Sequence, residues 1–146
     1  MKFYLISPPY EHEEFTIENL DFITDTLKVD YFQFRPKYNR IDQRIKFVDD
    51  YFYNISKICK KKKIKLIINN DFKIAKHFKF DGIHLGPNDK SCKDAKKQFG
   101  KEFIVGVSCM NSFSRYKLAN NQNADYIAFG SVFKSATKKK EAVGPE

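Results

Sequence analysis

The stretch from residue 41 to residue 69, IDQRIKFVDDYFYNISKICKKKKIKLIIN, decides the class of fold. Its first part predicts a long amphipathic helix, because apolar side chains recur at steps of three and four residues and form one buried stripe. That stripe consists of Ile41, Ile45, Val48, Phe52, Ile55 and Cys59. Residues 65–69 follow as a short apolar run, which is typical of a strand covered on both faces of a sheet. Together they predict one helix–strand step of a parallel α/β fold.

The same alternation of strand and helix runs along the chain. We predict strands at residues 3–6, 31–35, 65–69, 82–85, 103–107 and 126–130, with helices between them. Such a series without a glycine-rich dinucleotide turn favours a (β/α)8 TIM barrel, although a doubly wound sheet has the same periodicity. A complete barrel has eight strands and commonly ~250 residues. We therefore expect residues 1–146 to be a single incomplete TIM-barrel domain, a fragment covering about the first six βα units.

Composition and charge narrow the class of protein. The 146 residues carry a net charge of +9, but the lysines are scattered and no aromatic-rich nucleic-acid motif accompanies them. An anionic small substrate therefore explains the charge better than nucleic acid. No apolar run approaches the ~20 residues of a membrane span, and we expect a cytoplasmic protein. Cys59, Cys92 and Cys109 show no metal-ligand or redox spacing and are predicted to be reduced, buried thiols.

Residues 124–138, ADYIAFGSVFKSATK, predict a strand that runs into a loop rich in phosphate-binding groups. Ser135, Thr137 and Lys138 bring two hydroxyl donors and a positive charge within four positions, which suits a phosphorylated anion. The alternative is a solvated basic loop, because Lys139 and Lys140 follow at once.

Polar side chains also follow the other predicted strands. In a TIM barrel the active site lies at the C-terminal ends of the strands. The residues at these ends are Gln33, Arg35, Lys37, Asn69, Asn70, Asp71, Asp89 and Ser108. Cations, amides and hydroxyls bind phosphate oxygens, and carboxylates bind Mg²⁺. The set therefore predicts a site for a diphosphate with a divalent metal ion.

Each of these positions also has a simpler explanation. Residues 69–71 are of the types that cap a following helix, and Asp89 is suited to a turn. Arg35 and Lys37 are also explained as surface charges at a strand end. His84 lies inside the fourth predicted strand, where a hydrogen-bonded structural histidine is the simpler alternative to a catalytic base.

Taken together, these segments resemble the motifs of thiamine phosphate synthase, a family of TIM-barrel enzymes. The resembling segments are QFRPK (33–37), IINN (67–70), DGIHLG (81–86), VGVS (105–108), ADYIAFG (124–130) and SATK (135–138). The resemblance covers nearly the whole chain, and the motifs in this order are specific where each alone would be weak.

The resemblance implies a transferase of thiamine biosynthesis that joins an aminopyrimidine methyl diphosphate to a thiazole phosphate, giving thiamine phosphate and pyrophosphate. It implies that the diphosphate is bound by Arg35, Lys37, Asn69, Ser108, Ser135, Thr137 and Lys138. Among these, Arg35, Lys37, Ser108 and Lys138 are the implied catalytic residues, since they would stabilise the charge of the leaving diphosphate. Gln33 would position the pyrimidine.

The resemblance also implies a Mg²⁺ cofactor bound by Asp89. Asn70 stands where the family usually has a second magnesium-binding Asp, and Asp71 is the adjacent carboxylate that would compensate for it. Pro87 and Ser135 replace a usual Gln and Thr. The family's thiazole-phosphate-binding turns after the seventh and eighth strands would lie beyond Glu146.

Two other functions stay open. A sister group with the same barrel tautomerises a thiazole carboxylate phosphate; it tends to lack the metal-binding Asp and to carry a His just after Gly-Val-Ser. Here Asp89 is present and Cys109 follows Ser108, which favours the synthase. The second alternative is a non-catalytic domain that binds phosphorylated ligands or RNA. Exposed edges at the first and sixth strands further predict self-association, and hence a possible homo-oligomer.

Overall fold

The computed structural model describes residues 1–130, in which strands and helices alternate. The elements are β1 (Phe3–Ile6), α1 (Ile17–Thr26), β2 (Val29–Phe34), α2 (Ile41–Lys62), β3 (Lys65–Asn69), α3 (Phe72–His77), β4 (Gly82–Leu85), α4 (Cys92–Phe99), β5 (Ile104–Met110), α5 (Phe113–Asn121) and β6 (Tyr126–Phe129). The chain divides into two compact units, Met1–Gly82 and Ile83–Glu146. In each unit the strands neighbour one another in sequence order, and β1–β2, β2–β3 and β5–β6 pair in parallel. The predicted α/β class is confirmed.

The core of the first unit lies between one face of its strands and the helices. Alternation along β2 puts Phe32 and Phe34 on that face and Gln33 on the other. Phe34 is fully buried, and its ring meets those of Phe47 and Phe80 edge-to-face, with centroids 6.5 and 6.0 Å apart. Gln33 lies on the opposite face of β2, which it shares with Val29 and Tyr31.

Helix α2 occupies the predicted position, and most of its buried side chains were predicted. Val48, Ile55 and Cys59 are buried, as is Phe47, which the predicted stripe omits. Phe47 is buried because the covered face of the helix is wider than a single row of side chains. Neither α2, with its 22 residues, nor any other helix in residues 1–130 is apolar enough over sufficient length to cross a membrane.

The end of α2 is joined to α1 by one lysine. The ammonium group of Lys62 lies 2.7 Å from an oxygen of Asp21, 2.8 Å from one of Asp25 and 2.8 Å from the hydroxyl of Thr24. The Lys62 side chain is only 13% exposed. The C-terminal turn of α2 is thereby held against the acidic end of α1.

Aspartates that directly precede or begin strands hold the starts of neighbouring strands. Asp30 accepts a hydrogen bond from the backbone N–H of Phe3 at 3.0 Å, and Asp81 accepts one from that of Leu66 at 2.8 Å. In the second unit, Asp125 accepts one from Val105 at 2.7 Å. Asp81 and Asp125 belong to the motifs DGIHLG and ADYIAFG, so these two motif residues have a structural role.

Strand β2 is shifted from its predicted bounds at both ends. It begins at Val29 rather than at residue 31, because Asp30 bonds to the start of β1 and Phe3 pairs with Val29. It ends at Phe34, because the backbone N–H of Arg35 donates to the hydroxyl of Ser7 at 2.9 Å.

Strand β5 runs three residues past its predicted end at residue 107. Ser108 pairs with Ala128, and Met110 pairs with Phe129, so Cys109 is the extra residue of a β-bulge. Met110 has a φ of 56°, and Cys109 is fully buried. The bulge directly follows Ser108 and marks the point at which the strand turns its side chains in a new direction.

Candidate active site

In the first unit, Gln33 is a buried polar side chain held by a tyrosine. It is 3% exposed, and its Nε2 donates to the hydroxyl of Tyr4 at 2.8 Å. The ring of Tyr4 stacks on that of Tyr31, with centroids 5.4 Å apart. The two tyrosines therefore fix the orientation of the Gln33 amide.

The backbone of Arg35 is held by a hydrogen bond to Ser7. Ser7, which is 4% exposed, accepts from the N–H of Arg35 and donates its own N–H to the carbonyl of Gln33 at 2.8 Å. The guanidinium of Arg35 makes no hydrogen bond or ion pair with any residue of the described part of the chain. The N–H of Lys37 donates to the carbonyl of Pro9 at 2.8 Å, which holds the backbone of that cation too. The backbones of Arg35 and Lys37 are thus anchored in the segment that follows β2.

Residues 69–71 lie at the end of β3, where they lead into α3. Asn70 is exposed and has a φ of 48°, in the left-handed region that Asn tolerates better than most residues. Asp71 is the N-cap of α3: one carboxylate oxygen accepts from the N–H groups of Lys73 and Ile74, both at 3.1 Å. Its other oxygen accepts from Nε of Arg44 at 3.1 Å. Both oxygens are engaged, which favours the capping alternative for Asp71 over a role in binding metal.

Arg44 is a site-building residue that the sequence pattern does not reveal. Besides Asp71, it donates to the carbonyls of Tyr38 and Asn39, at 2.8 and 2.9 Å. It therefore connects the segment after β2 to the start of α3. An Arg in the first turns of an amphipathic helix is ordinarily a surface residue, so only the tertiary contact identifies it.

In the second unit, Asp89 closes a tight turn after β4. Its carboxylate accepts from the N–H of Gly86 at 2.6 Å, and its own N–H donates to the carbonyl of Gly86 at 3.3 Å. The turn alternative for Asp89 is therefore realised. The two oxygens of a carboxylate provide about four acceptor positions, so a role in a turn is compatible with a contact to a cation.

The carboxylate of Asp89 suits one known mode of Mg²⁺ binding. Within residues 1–130 no three His, Cys, Asp or Glu side chains are grouped closely enough to hold a metal. Mg²⁺ is commonly bound by one or two carboxylates together with substrate phosphates and water, rather than by an all-protein cage. A single carboxylate such as Asp89, completed by diphosphate oxygens, is compatible with that mode of binding.

Ser108, two residues before the end of β5, contacts a histidine. Nε2 of His84 lies 2.8 Å from Oγ of Ser108, and Nδ1 of His84 lies 3.1 Å from the hydroxyl of Tyr126. The rings of His84 and Tyr126 are stacked, with centroids 5.7 Å apart and planes at 25°. The sequence pattern identifies Ser108 and His84 separately, but neither their contact nor the part of Tyr126.

Three predicted residues of the phosphate-binding loop, Ser135, Thr137 and Lys138, lie outside the described residues. The described site residues are Gln33, Arg35, Lys37, Asn69, Asn70 and Asp71 in the first unit, and Asp89 and Ser108 in the second. Arg35, Lys37, Asn70, Asp71 and Asp89 follow the ends of strands and Asn69 ends β3, whereas Gln33 is the second-last residue of β2. Ser108 was predicted to follow β5 but lies two residues before its end, because the strand continues to Met110.

The fold defines an α/β protein with polar residues at or near the ends of its strands in each unit. A family model described as thiamine monophosphate synthase matches residues 3–146. The chain belongs to this thiamine monophosphate synthase family.

Curated relatives agree with the family. The chain is 36% identical over 135 residues to the thiamine-phosphate synthase of Pelagibacter ubique, covering 92% of this chain and 63% of that protein. It is 38% identical over 106 residues to the thiamine-phosphate synthase of Nitrosococcus oceani, covering 73% of this chain and 47% of that protein. The chain thus spans about half the length of the curated relatives it matches.

A solved structure shares the fold. The thiamine phosphate pyrophosphorylase from Pyrococcus furiosus aligns with a TM-score of 0.74, covering 98% of this chain and 64% of that chain at 19% identity. At this level of identity the likeness concerns the fold alone.

Proposed function

We propose that this chain is the diphosphate-binding part of a thiamine phosphate synthase, which joins an aminopyrimidine methyl diphosphate to a thiazole phosphate and releases pyrophosphate. The observation that carries the proposal is the match of the family model to residues 3–146. We also propose that the strands and helices form about the first six βα units of a (β/α)8 barrel.

Arg35 is the proposed principal ligand of the diphosphate. Its backbone is anchored through Ser7, and its guanidinium has no partner among residues 1–130. A guanidinium binds two phosphate oxygens at once and favours the charge that grows on the leaving diphosphate. Lys37, Asn69, Ser108, Ser135, Thr137 and Lys138 are the other proposed diphosphate ligands.

Gln33 is proposed to orient the pyrimidine. Because the Gln33 amide is buried and held by Tyr4, it offers a fixed hydrogen-bonding group. A fixed amide recognises the edge of a heterocycle without an entropic penalty for ordering the side chain. Loss of the diphosphate leaves a pyrimidine-methyl cation, so a dry and preorganised pocket is needed to protect it from water.

Asp89 is the proposed protein ligand of Mg²⁺, and Asn70 is a proposed neutral ligand in place of the family's usual Asp. When bound, the ion would neutralise charge on the leaving diphosphate. We also propose that the protein acts on small molecules in the cytoplasm. Because its lysines are scattered along the sequence, we propose that it binds no nucleic acid. An affinity for RNA that falls steeply as the salt concentration rises would contradict the absence of nucleic-acid binding.

The test is Mg²⁺-dependent formation of thiamine phosphate from the two substrates. It uses the 146-residue chain and, in parallel, whichever longer coding sequence contains it, each as wild type, Arg35→Ala and Arg40→Ala. Arg40 is the matched control, because its side chain is 75% exposed and pairs only with the neighbouring Asp42 among the described residues. Product that disappears with Arg35→Ala and persists with Arg40→Ala supports the proposal.

Absence of product in every version, from folded protein that binds pyrophosphate, would overturn the synthase function. The same protein would then be assayed for tautomerisation of a thiazole carboxylate phosphate. Activity there would assign it to the sister group, despite the presence of Asp89 and the absence of a His after Ser108.

A further inference from the structure

Three polar groups form a hydrogen-bonded chain within the second unit. The hydroxyl of Tyr126 lies 3.1 Å from Nδ1 of His84, and Nε2 of His84 lies 2.8 Å from Oγ of Ser108. The residues belong to β6, β4 and β5, so their spacing is set by strands rather than by loops. Sites built on regular elements hold their geometry more closely than sites built on loops.

The tyrosine reaches the histidine by crossing the strand between them. Tyr126 is paired with Gly106 of β5, and a Cβ atom added at Gly106 would overlap the phenol ring of Tyr126. Strands two apart in a sheet are separated by about 9.6 Å, twice the spacing of neighbours. A tyrosine can bridge from β6 to β4 because the intervening residue has no side chain.

Neutral His84 has two tautomers in this chain of groups, because neutral imidazole carries one N–H and one acceptor nitrogen. In the first, Nε2–H donates to Ser108 and Nδ1 accepts from the Tyr126 hydroxyl. The hydroxyl proton of Ser108 then points to another partner. In the second, Nδ1–H donates to Tyr126, and Nε2 accepts the proton of Ser108. Ser108 then presents only lone pairs, which repel an anion.

The acidity of the two hydroxyls favours the first arrangement. A phenol, with a pKa near 10, is a stronger hydrogen-bond donor and a weaker acceptor than an aliphatic hydroxyl. The favoured tautomer is therefore the one whose acceptor nitrogen faces Tyr126 and whose N–H faces Ser108.

We propose that Tyr126 is a positioning residue that, through the Nε2–H tautomer of His84, keeps the hydroxyl of Ser108 a hydrogen-bond donor toward a phosphate oxygen of the ligand. The inference rests on the proposed function in one respect: it takes the anion next to Ser108 to be the diphosphate. The proton arrangement itself does not depend on the reaction.

The first measurement is the tautomer of His84 by ¹⁵N NMR of histidine-labelled protein at pH 8. The chain has three histidines, His12, His77 and His84, and the signal missing from His84→Gln assigns the third. The wild type is expected to show the Nε2–H tautomer, and Tyr126→Phe is expected to shift the signal toward Nδ1–H. A wild type in the Nδ1–H form overturns the inference.

The second measurement is the affinity for Mg²⁺–pyrophosphate by calorimetry. Tyr126→Phe and Ser108→Ala are each expected to weaken binding roughly tenfold, as for the loss of one hydrogen bond to a charged group. The double variant is expected to bind no more weakly than either single variant, because the proposed effect of Tyr126 on the ligand passes through Ser108. Tyr116→Phe is the control; this tyrosine lies in the same unit and stacks on Phe113.

The two measurements separate the two claims. If the wild type binds pyrophosphate but its His84 is in the Nδ1–H form, the role of Tyr126 is overturned and the synthase proposal stays intact. The same holds if the losses of pyrophosphate affinity in the two single variants add up in the double variant. Wild type that shows Nε2–H but does not bind pyrophosphate contradicts the proposed function and still supports the proton arrangement. The wild-type spectrum decides the tautomer even if a variant fails to fold.

Discussion

The ring of Tyr126 fills the space that a side chain at Gly106 would need. The φ angle of Gly106 is not positive. Glycine is therefore required here for lack of space and not for a special backbone conformation. The motif Val-Gly-Val-Ser thus combines two features within one strand. Gly106 leaves room for the ring of Tyr126. Ser108 is hydrogen-bonded to His84, which is also hydrogen-bonded to Tyr126.

Gly106→Ala is predicted to lower the free energy of unfolding by about 1–3 kcal/mol, the usual range for an overpacked site. Urea denaturation of the 146-residue chain measures it. In a Tyr126→Ala background the same substitution should have little effect, since the overlapping ring is gone. An equal loss in both backgrounds would show that something other than the ring excludes a side chain.

Asp89 and Asp71 are predicted to differ in their effect on Mg²⁺. Asp89→Asn should weaken Mg²⁺-dependent binding of pyrophosphate, whereas Asp71→Asn should leave it nearly unchanged, because both oxygens of Asp71 are engaged by α3 and Arg44. Calorimetry with and without Mg²⁺ measures both. The prediction fails if Asp71→Asn abolishes the Mg²⁺ dependence.

Asp71→Ala should instead affect stability. Loss of an N-cap side chain lowers the free energy of unfolding by about 1 kcal/mol, and Asp71→Asn should retain most of that, since Asn also caps helices. Equal unfolding midpoints for wild type and Asp71→Ala would contradict the capping role.

The Lys62 contacts predict acid-sensitive stability. The hydrogen bond that Lys62 donates holds the pKa of Asp21 below its ordinary value. The folded state therefore binds this proton less tightly than the unfolded chain, whose Asp pKa is about 3.9. The stabilisation is present above about pH 4 and is lost as the pH falls through the lower folded-state pKa.

Lys62→Met should remove this part of the pH dependence and lower the urea midpoint at pH 7, while Lys61→Met serves as the neighbouring control. Urea midpoints between pH 2.5 and pH 7 measure the difference. Parallel pH profiles for wild type and Lys62→Met would rule out the contribution of Asp21.

The buried thiols are predicted to be unreactive in the folded protein. Burial, together with the negative charge of Asp81, raises the pKa of Cys59 to about 12. Burial likewise raises the pKa values of Cys92 and Cys109. Since the thiolate is the nucleophile, iodoacetamide at pH 8 should alkylate these residues only after unfolding in urea. Mass spectrometry that finds Cys59 modified rapidly under native conditions would contradict this.

Much of the fold follows from the sequence because it depends on local periodicity. The bounds of β1, β3 and β4 match the predicted residues 3–6, 65–69 and 82–85, and α2 lies where the apolar stripe predicts it. The end of β5 was predicted too early, because a bulge continues the strand past Ser108. A bulge depends on the partner strand, and a single strand's sequence does not show it.

By itself, the sequence determined the order of the elements and the polar residues at the strand ends, because alternation places such residues at positions that can be counted along the chain. Only the tertiary structure decided which of these side chains are hydrogen-bonded and which residues are their partners. Gln33 is held by Tyr4, Asp71 by Arg44, and Ser108 by His84, across 29, 27 and 24 residues of sequence. Contacts at that separation depend on strand register and on helix packing, which no local pattern specifies.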